Sequence, residues 1–448
     1  MKNFLDLLLF RGKGVLPTRR LLAIFFALAI VLFALSFINH SWSFIIFANA
    51  LVLVSSLFDL LLLPKRKDLV FSRKINRDLE RDLPYKVSID VENKSDQAFL
   101  FELLDDLPES FVKKSELKGE LASKESKSFT YNFRATVRGD YDLEKLHIRY
   151  RSPFGLWAKQ LTVEDLDEVR VIPDLTEVKS YLHDAQKFLI YEGMKIRKQQ
   201  VGMGEFASIR NYVVGDDPRT INWRQTAKLQ EVMTNVYEPE HGKYITILVD
   251  CGRMMGVELK DSNRLERVLE SALTVAAAAL KRGDYVSVLA FSKEVKTFIP
   301  PEKGIEHLQT ILNELYNLKV DRVESNYQLA FHHIETMLNK RSLLFLFSDV
   351  QTFLQNDFLL NQLIRLRQRH LFFMVGLEDE MLIDRAKLRP EAANEAMVKS
   401  MAQHQILKKE KEKLAWEQRG LHLVEAEEEE LTAVSISYYI NLMNQGLL

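Results

Sequence analysis

The sequence has few of the residues that build cysteine-rich or structureless proteins. Cys251 is its single cysteine, which excludes an intrachain disulfide and a cysteine-rich zinc or iron–sulfur site and favours a reducing compartment. With 17 Gly and 11 Pro, it is neither collagen-like nor of low complexity. A net charge of -1 removes the general electrostatic argument for nucleic-acid binding. No G-x-x-x-x-G-K-[ST] phosphate loop occurs, so the chain is not itself a P-loop ATPase.

The ordinary composition and the length indicate a globular protein built from several parts. Hydrophobic residues make up 47% of the chain and charged residues 27%, which excludes a wholly disordered protein. At about 150 residues per domain, the length corresponds to roughly three structural units. Changes of pattern predict four segments: 1–64, an N-terminal segment with a transmembrane hairpin; 65–175, a β-sandwich domain; 176–242, a linker; and 243–448, an α/β domain with C-terminal helices.

Two long apolar runs near the N-terminus predict two transmembrane helices. Residues 21–38 carry no charge, and residues 43–63 carry only Asp59, which we expect to reach the membrane interface. Basic clusters on both sides place both ends in the cytoplasm under the positive-inside rule. These basic residues are Lys2, Arg11, Lys13, Arg19 and Arg20 before the runs and Lys65, Arg66, Lys67, Arg73, Lys74 and Arg77 after them. We therefore expect a multi-pass protein of the inner (cytoplasmic) membrane whose soluble part faces the cytoplasm.

The remaining chain shows two hydrophobic patterns, so the expected fold class is multidomain. Between residues 68 and about 173, short runs alternate apolar and polar positions, which is typical of strands and predicts a β-sandwich. From residue 244, continuous apolar runs at 244–250, 285–291, 342–349 and 371–376 alternate with helical segments. Such runs indicate strands buried on both faces, and they predict a doubly wound α/β domain with a parallel sheet.

A segment dense in charged residues, GMGEFASIRNYVVGDDPRTINWRQTAK at residues 202–228, separates the two patterns. Its Gly-Asp-Asp-Pro stretch at residues 215–218 favours a turn. Arginine pairs bidentately with carboxylates, so we expect a rigid charged network here. The network either docks the sandwich against the sheet or recognises a partner, and the spacing favours neither alternative. The candidate residues are Glu205, Arg210, Asp216, Asp217, Arg219, Asn222, Trp223 and Arg224.

An enzymatic interpretation of this segment is the alternative hypothesis. Asp216 and Asp217, together with Glu205, are carboxylates of the kind that acid–base chemistry or magnesium binding requires, which would make the protein a metal-dependent hydrolase. Adjacent residues of a turn usually point apart, however, and the segment contains no histidine. We therefore expect the chain to have no catalytic residues.

The segment resembles the signature of the domain of unknown function 58 family. The resemblance rests on Gly202, Glu205, Phe206, Ser208, Arg210, Tyr212, Gly215, Asp216, Arg219, Ile221, Asn222, Trp223, Thr226 and Ala227. It extends over most of the chain, and it implies a von Willebrand factor A-like domain after the motif. It also implies a membrane-anchored, non-enzymatic partner of MoxR-type AAA ATPases that acts in chaperone-like assembly or maturation of client proteins.

Von Willebrand factor A-like domains typically bind a hard divalent cation through a D-x-S-x-S loop, a threonine and a later aspartate, and this sequence departs from that pattern. The first loop keeps Asp250, but Gly252 and Met254 stand at the two serine positions. Such cations need several oxygen ligands, so we expect a metal-free site, with weakly bound magnesium as the alternative. Arg253 is a candidate internal cation that would pair with Asp250 or Asp349. The degenerate site comprises Asp250, Asn326 and Asp349.

These features predict a membrane-tethered adaptor rather than an enzyme. Ligands of open α/β sheets bind at the carboxyl ends of strands, so the ATPase or its client would dock at the loops around Asp250, Asn326 and Asp349. No cofactor and no nucleic-acid partner are expected. A metal-dependent adhesion domain outside the cell is a third hypothesis, which the basic flanks oppose.

Overall fold

The computed structural model describes residues 14–36, 42–113, 117–183, 205–238, 242–260, 262–354 and 357–445. The chain divides into two compact units, with the boundary between Ile172 and Pro173. The strands and α-helices described in the first unit are β1 (Val15–Pro17), α1 (Arg19–Ser36), α2 (Trp42–Leu61), β2 (Leu69–Lys74), β3 (Asp78–Glu80), β4 (Pro84–Asn93), β5 (Phe99–Asp105), β6 (Phe111–Lys113), β7 (Leu117–Leu121), β8 (Ser126–Ala135), β9 (Gly139–Arg151) and β10 (Trp157–Ile172).

The prediction of two transmembrane helices is wrong. Among the described residues, one segment, Ile46–Asp68, is long and apolar enough to cross a membrane. Helix α1 has 18 residues, of which Arg19 and Arg20 are charged. Its uncharged part therefore rises about 24 Å, which is short of the roughly 30 Å of hydrocarbon in a bilayer. One possible span is compatible with membrane association, and the multi-pass topology loses its basis.

The end of helix α2 is bound to the turn between β9 and β10. The carboxylate of Asp59 accepts hydrogen bonds from the backbone N–H groups of Leu156 (2.8 Å) and Trp157 (3.0 Å) and from the hydroxyl of Ser152. Asp59 is 3% exposed. The expectation that Asp59 reaches the membrane interface is therefore wrong, because its charge is satisfied by the sandwich.

Arg73 was predicted to be one of the basic residues that flank the membrane segment, but the structure gives it another role. It lies inside the sandwich and is 5% exposed. Its guanidinium donates to Asp105 (2.7 Å) and Asp167 (2.9 Å). The hydroxyl of Tyr131 donates to the same Asp105, and burial together with this carboxylate raises the pKa of Tyr131. Removing one partner of a buried ion pair leaves an uncompensated charge and is strongly destabilising. Both partners are therefore needed for the stability of the sandwich.

Two antiparallel sheets form the sandwich. One has the order β1-β10-β9-β5-β7, with β3 added in parallel on β10, and the other has the order β2-β4-β8-β6. The alternation of each strand turns one set of side chains inward. Phe71 of β2 and Phe101 of β5 meet edge to face at 6.1 Å between ring centroids, in a core that both sheets share.

The second unit contains a hairpin, a larger sheet and the helices that cover it. Its described strands and α-helices are α3 (Thr176–His183), β11 (Glu205–Asn211), α4 (Trp223–Leu229), β12 (Met233–Glu238), β13 (Tyr244–Asp250), α5 (Arg264–Arg282), β14 (Tyr285–Phe291), β15 (Val295–Glu302), α6 (His307–Leu315), α7 (Tyr327–Met337), β16 (Ser342–Phe347), α8 (Val350–Leu354), α9 (Asp357–Arg369), β17 (Leu371–Leu377), α10 (Glu380–Lys387), α11 (Ala393–Gln418), β18 (His422–Ala426) and α12 (Leu431–Gln445).

The large sheet is mixed rather than purely parallel. Its order is β15-β14-β13-β16-β17-β18. Five strands run parallel, and β15 pairs antiparallel with β14 at the edge. The expected doubly wound parallel sheet is corrected accordingly. The antiparallel edge strand contains Pro300 and Pro301, which an edge tolerates because not every N–H of an edge strand is needed for pairing.

Helices cover both faces of this sheet and fix its strand ends. Helix α5 begins after Asn263, whose side chain accepts the N–H of Glu266, and ends at Gly283, where φ is 91°. On the other face, Phe331 of α7 and Leu363 of α9 are fully buried against the sheet. Strands β13 and β16 are parallel neighbours, and Val249 pairs with Phe347 near their carboxyl ends. The residues that follow each strand therefore lie close together at this end of the sheet.

Candidate functional site

Residues Glu205–Glu238 form a small unit, which we call the motif module. Strands β11 and β12 pair antiparallel, with Arg210 opposite Thr234. The side-chain oxygen of Asn222 caps helix α4 by accepting the N–H of Gln225 at 3.1 Å, and its amide donates to Asn235 at 2.9 Å. Asn222 therefore ties α4 to β12. Asn, a preferred helix cap, was a signal for this helix start in the sequence.

The two adjacent aspartates hold different turns. Asp216 accepts from the guanidinium of Arg210 at 2.7 Å and from the N–H of Val213 at 3.0 Å. The Arg210 hydrogen bond, followed by the Val213 bond, lowers the pKa of Asp216 below its usual value. Asp217 accepts from the N–H of Arg219 at 2.9 Å and starts a short 3₁₀ turn. The carboxylates thus serve separate structural roles and do not form a pair.

The motif module presents most of its candidate residues to solvent. Trp223 is 70% exposed, and Arg219 and Arg224 are exposed. Within residues 213–232, five large apolar side chains are exposed, and these are Val213, Val214, Trp223, Leu229 and Val232. Among the candidate residues, Arg210 and Asp216 form an ion pair, whereas the expected network had several pairs. Glu205 lies on β11 opposite Glu238, and its side chain lies outside the described residues, as does Gly202.

Asp250 lies at the end of β13 in a closed hydrogen-bonded group, the Asp250 cluster, with Ser325, Tyr327 and Ser348. Its carboxylate accepts from the N–H of Gly252 (2.8 Å) and from the hydroxyls of Tyr327 (3.1 Å), Ser348 (2.5 Å) and Ser325. Asp250 is 1% exposed. Burial raises the pKa of Asp250, and the hydroxyl and N–H donors oppose that shift.

Asp349 follows β16 at the same edge and pairs with an arginine that the sequence did not suggest. The guanidinium of Arg264, at the start of α5, donates to Asp349 at 2.5 Å, and both side chains are nearly fully buried. The second oxygen of Asp349 accepts the N–H (2.9 Å) and hydroxyl (2.7 Å) of Thr352. A cation in a helix's first turn opposes the helix dipole, which was a signal that Arg264 needs an anionic partner.

The other residues of the predicted metal loop have structural contacts. Arg253 pairs with Glu324 at 2.9 Å on the surface, so the hypothesis that Arg253 neutralises Asp250 or Asp349 is wrong. The side chain of Asn326 caps α7 by accepting the N–H of Leu329 at 3.1 Å. A Cβ atom on Gly252 would lie 2.0 Å from the Ser325 hydroxyl oxygen. The place of a serine side chain is thus already filled from another loop.

In this arrangement, hydroxyl donors and Arg264 contact the carboxylates that a hard divalent cation would use. Such an ion needs several converging oxygen ligands, whereas the hydroxyls of the Asp250 cluster donate to the carboxylate and Arg264 holds Asp349. Across the described ranges, no group of three or more His, Cys, Asp or Glu side chains is placed to hold a metal ion. Asp250 and Asp349 lie at the same end of the sheet, where Ser348 precedes Asp349 and donates to Asp250. Asn326 stands between Ser325 and Tyr327 in the chain, and its side chain caps α7 instead of joining the cluster.

The family model for Protein of unknown function DUF58 matches residues 208–404, from within β11 to within α11. The match spans 197 of the 448 residues, and this part of the chain is similar to the DUF58 family. This match confirms the family suggested by the motif, and it covers the Asp250 cluster and the motif module from Ser208 onward. The DUF58 match begins at Ser208, three residues after Glu205.

Similar proteins add little beyond the match to the DUF58 family model. "Uncharacterized protein YeaD" of Bacillus subtilis (strain 168) is 23% identical over 193 residues, which is 43% of this chain and 46% of YeaD. The chain therefore spans about half the length of this curated relative. The crystal structure of the conserved hypothetical protein BatB from Bacteroides thetaiotaomicron aligns with 46% of this chain and all of BatB, at 10% identity and a TM-score of 0.30. The ASH/PapD-like domain of human CEP192 aligns with 25% of this chain and 93% of that domain, at 13% identity and a TM-score of 0.18. Likenesses this weak carry no argument about function.

Proposed function

We propose that this DUF58 protein is a membrane-associated, non-enzymatic adaptor whose motif module is the docking surface for a MoxR-type AAA ATPase. The observation that carries the proposal is the exposure of Trp223 at 70%, together with that of Val214 at 98% and of Arg219, all within the motif module. Exposed apolar groups flanked by charge are typical of interaction sites. Trp and Arg dominate the binding energy of many protein interfaces.

The family resemblance supplies the partner class. It implies an ATPase of the MoxR type and client proteins that the pair assembles or matures. The chain has no P-loop of its own, so nucleotide hydrolysis would come from the partner. The segment Ile46–Asp68 would tether the adaptor to a membrane.

The motif module replaces the loops around Asp250 as the proposed docking surface. Asp250 and Asp349 are 1% and 6% exposed, and internal partners occupy their oxygens. A partner could reach these carboxylates only by breaking buried hydrogen bonds, which is costly. The exposed residues of the motif module require no such rearrangement.

The same contacts support the non-enzymatic part of the proposal. Asp216 is paired with Arg210, and Asp217 caps a 3₁₀ turn, so neither carboxylate is placed as a general base beside the other. We propose a metal-free Asp250 cluster for the reason given above, namely that its hydroxyls and Arg264 already neutralise or satisfy the carboxylates.

Co-purification with matched variants tests the docking surface. The full chain in detergent is incubated with a purified MoxR-type ATPase from the same genome, with nucleotide present. We expect Trp223→Ala and Arg219→Ala each to weaken capture by about tenfold or more, as for interface hot spots. The matched controls are Phe358→Ala, at a side chain that is 64% exposed, and Arg322→Ala, at an exposed residue near the Asp250 loops.

Two results would contradict the proposal. Equal capture of all four variants would remove the motif module as the docking surface, and selective loss with Arg322→Ala would return docking to the loops around Asp250. Metal-dependent turnover of a substrate by the purified full chain, abolished by Asp217→Ala without a change in thermal unfolding, would refute the non-enzymatic role.

A further inference from the structure

A basic cavity lies on the outer face of the first sheet of the sandwich. Its volume is about 500 Å³. Five basic side chains and a single carboxylate supply its charged lining, and these are Arg19, Arg20, Lys118, Arg149, Arg151 and Glu102. A cavity of this size falls within the range of roughly 300–1,000 Å³ that is usual for small-molecule sites.

Strand register brings these charges together. Arg149 and Arg151 of β9 point outward, because Ile148 and Tyr150 between and before them are buried. Glu102 of β5 lies opposite Arg149 on one side and opposite Lys118 of β7 on the other. The residues that line the cavity are therefore strongly positive, with the carboxylate of Glu102 as their one acidic group.

The start of α1 completes the cavity. The guanidinium of Arg20 donates to the backbone carbonyl of Phe154 at 3.2 Å. A Cβ placed on Gly155 would lie 3.4 Å from that guanidinium and 3.6 Å from Cδ of Arg151, so the two arginines flank the same turn. Glu102 and Arg151 approach to 3.9 Å, and both remain partly exposed at the cavity.

Hydrogen bonds link one wall of the cavity to the segment Ile46–Asp68, which is apolar enough to cross a membrane. Arg151 and Ala158, which both line the cavity, stand on either side of the β9–β10 turn. Asp59 at the end of α2 holds this turn through the N–H groups of Leu156 and Trp157. Phe154 in the same turn is 66% exposed. Asp59 lies within the segment Ile46–Asp68, so the cavity adjoins the part of the chain that is apolar enough to cross a membrane.

We propose that this cavity binds the phosphate of an anionic phospholipid headgroup. Arginine forks match phosphate oxygens bidentately, and basic side chains near an anionic leaflet are attracted to it. Arg149 has no ion pair within the described parts of the chain, which leaves its charge available to such a ligand. The site lies in the first unit and is independent of the proposed ATPase docking surface.

Lipid binding by the full chain in neutral detergent micelles tests the site. The probes are phosphatidylglycerol, phosphatidylcholine and inorganic phosphate, and bound lipid is measured by native mass spectrometry alongside the thermal unfolding midpoint. We expect phosphatidylglycerol to bind in preference to phosphatidylcholine and to raise the midpoint. The double variant Lys118→Gln/Arg149→Gln should bind phosphatidylglycerol about 10- to 30-fold more weakly.

The control removes the same charge from the opposite sheet. Lys86 of β4 and Lys127 of β8 are exposed there, so Lys86→Gln/Lys127→Gln should bind lipid as the unchanged chain does. Arg149→Gln alone, at an exposed position, serves if the double variant unfolds at a lower temperature without lipid. Equal weakening by the control pair, or equal binding of the two lipids, would overturn the proposal. Displacement of phosphatidylglycerol by inorganic phosphate at equal concentration would assign the site to soluble phosphate instead.

Discussion

The motif module and the Asp250 cluster both place aspartates in loops, but they differ in what surrounds those carboxylates. In the motif module, Asp216 pairs with an arginine whose side chain is 47% exposed. At the sheet edge, Asp250 and Asp349 are nearly fully buried and are satisfied by internal donors. The comparison shows that acidic loops of one chain can have different roles. Buried carboxylates with internal partners stabilise the fold, whereas a loop near the surface remains accessible to a binding partner. The buried cluster should govern folding, and the exposed module should govern binding.

The largest effect on stability is expected at the buried ion pair. Replacing Asp349 by Ala strands the guanidinium of Arg264, and replacing Arg264 by Met strands the carboxylate. We expect each variant to lose about 3–5 kcal/mol of unfolding free energy, since one uncompensated buried charge remains. Denaturant unfolding of the full chain in detergent measures the loss.

A double variant isolates the pair itself. Arg264→Met with Asp349→Leu removes both charges, so its loss should be clearly smaller than the sum of the two single losses. If either single variant lost less than about 1 kcal/mol, Asp349 would be more accessible than the ion pair implies, and the contrast with the motif module would fail.

The pH dependence of stability should reveal Asp250. Burial raises the pKa of Asp250, so between the ordinary value of about 3.9 and the raised value the folded chain binds more protons than the unfolded chain. The contribution of Asp250 to the unfolding free energy therefore falls as pH rises through this window. The variant Asp250→Asn cannot titrate, and its stability difference from the unchanged chain should shift with pH accordingly.

Asp250→Ala supplies the matching measurement at constant pH. It leaves the N–H of Gly252 and the hydroxyls of Tyr327 and Ser348 without their acceptor, which should cost about 2–3 kcal/mol. Identical pH profiles for the unchanged chain and Asp250→Asn would show that Asp250 does not titrate as a buried acid.

Much of the α/β fold could be predicted from the sequence because strands buried on both faces are continuous apolar runs. The runs at 244–250 and 285–291 coincide with β13 and β14. Strand β15 was missed because Pro300 and Pro301 argue against a strand, although an edge position tolerates them. The membrane hairpin was misjudged because the apolar run at 21–38 continues two residues beyond Ser36, where the described helix α1 ends.

The candidate site was less predictable because burial of charge depends on tertiary contacts. Arg73 was taken for a membrane flank, yet Leu69, Phe71 and Arg73 are in phase on β2 and all point inward. That alternation was visible in the sequence. The hydroxyls of Ser325 and Ser348, by contrast, come from distant loops, and nothing in local spacing connects them with Asp250.

A smaller effect on stability is expected at Gly252, where the absence of a side chain leaves room for the hydroxyl of Ser325. A Cβ on Gly252 would come within 2.0 Å of the Ser325 oxygen and within 3.2 Å of the Asp250 carboxylate. Gly252→Ala should therefore destabilise the fold by about 1–3 kcal/mol, as overpacking does. Adding Ser325→Ala removes the nearest clashing atom and should recover part of the loss in the same unfolding assay. No recovery would mean that backbone contacts, rather than this hydroxyl, exclude a side chain.

The smallest effect on stability is expected in the motif module, at Arg210→Ala. The variant removes the partner of Asp216, but both side chains reach solvent, so water and salt already screen much of the pair. The lowered pKa of Asp216 means that any stabilisation is present above the ordinary aspartate pKa and is lost as pH falls through the lowered value. Thermal unfolding of the variant should match that of the unchanged chain at acidic pH and differ least, of all the variants above, at neutral pH. A loss comparable with that of Asp349→Ala would show that Arg210 and Asp216 act as a buried pair, and the division between a binding surface and a folding core would no longer hold.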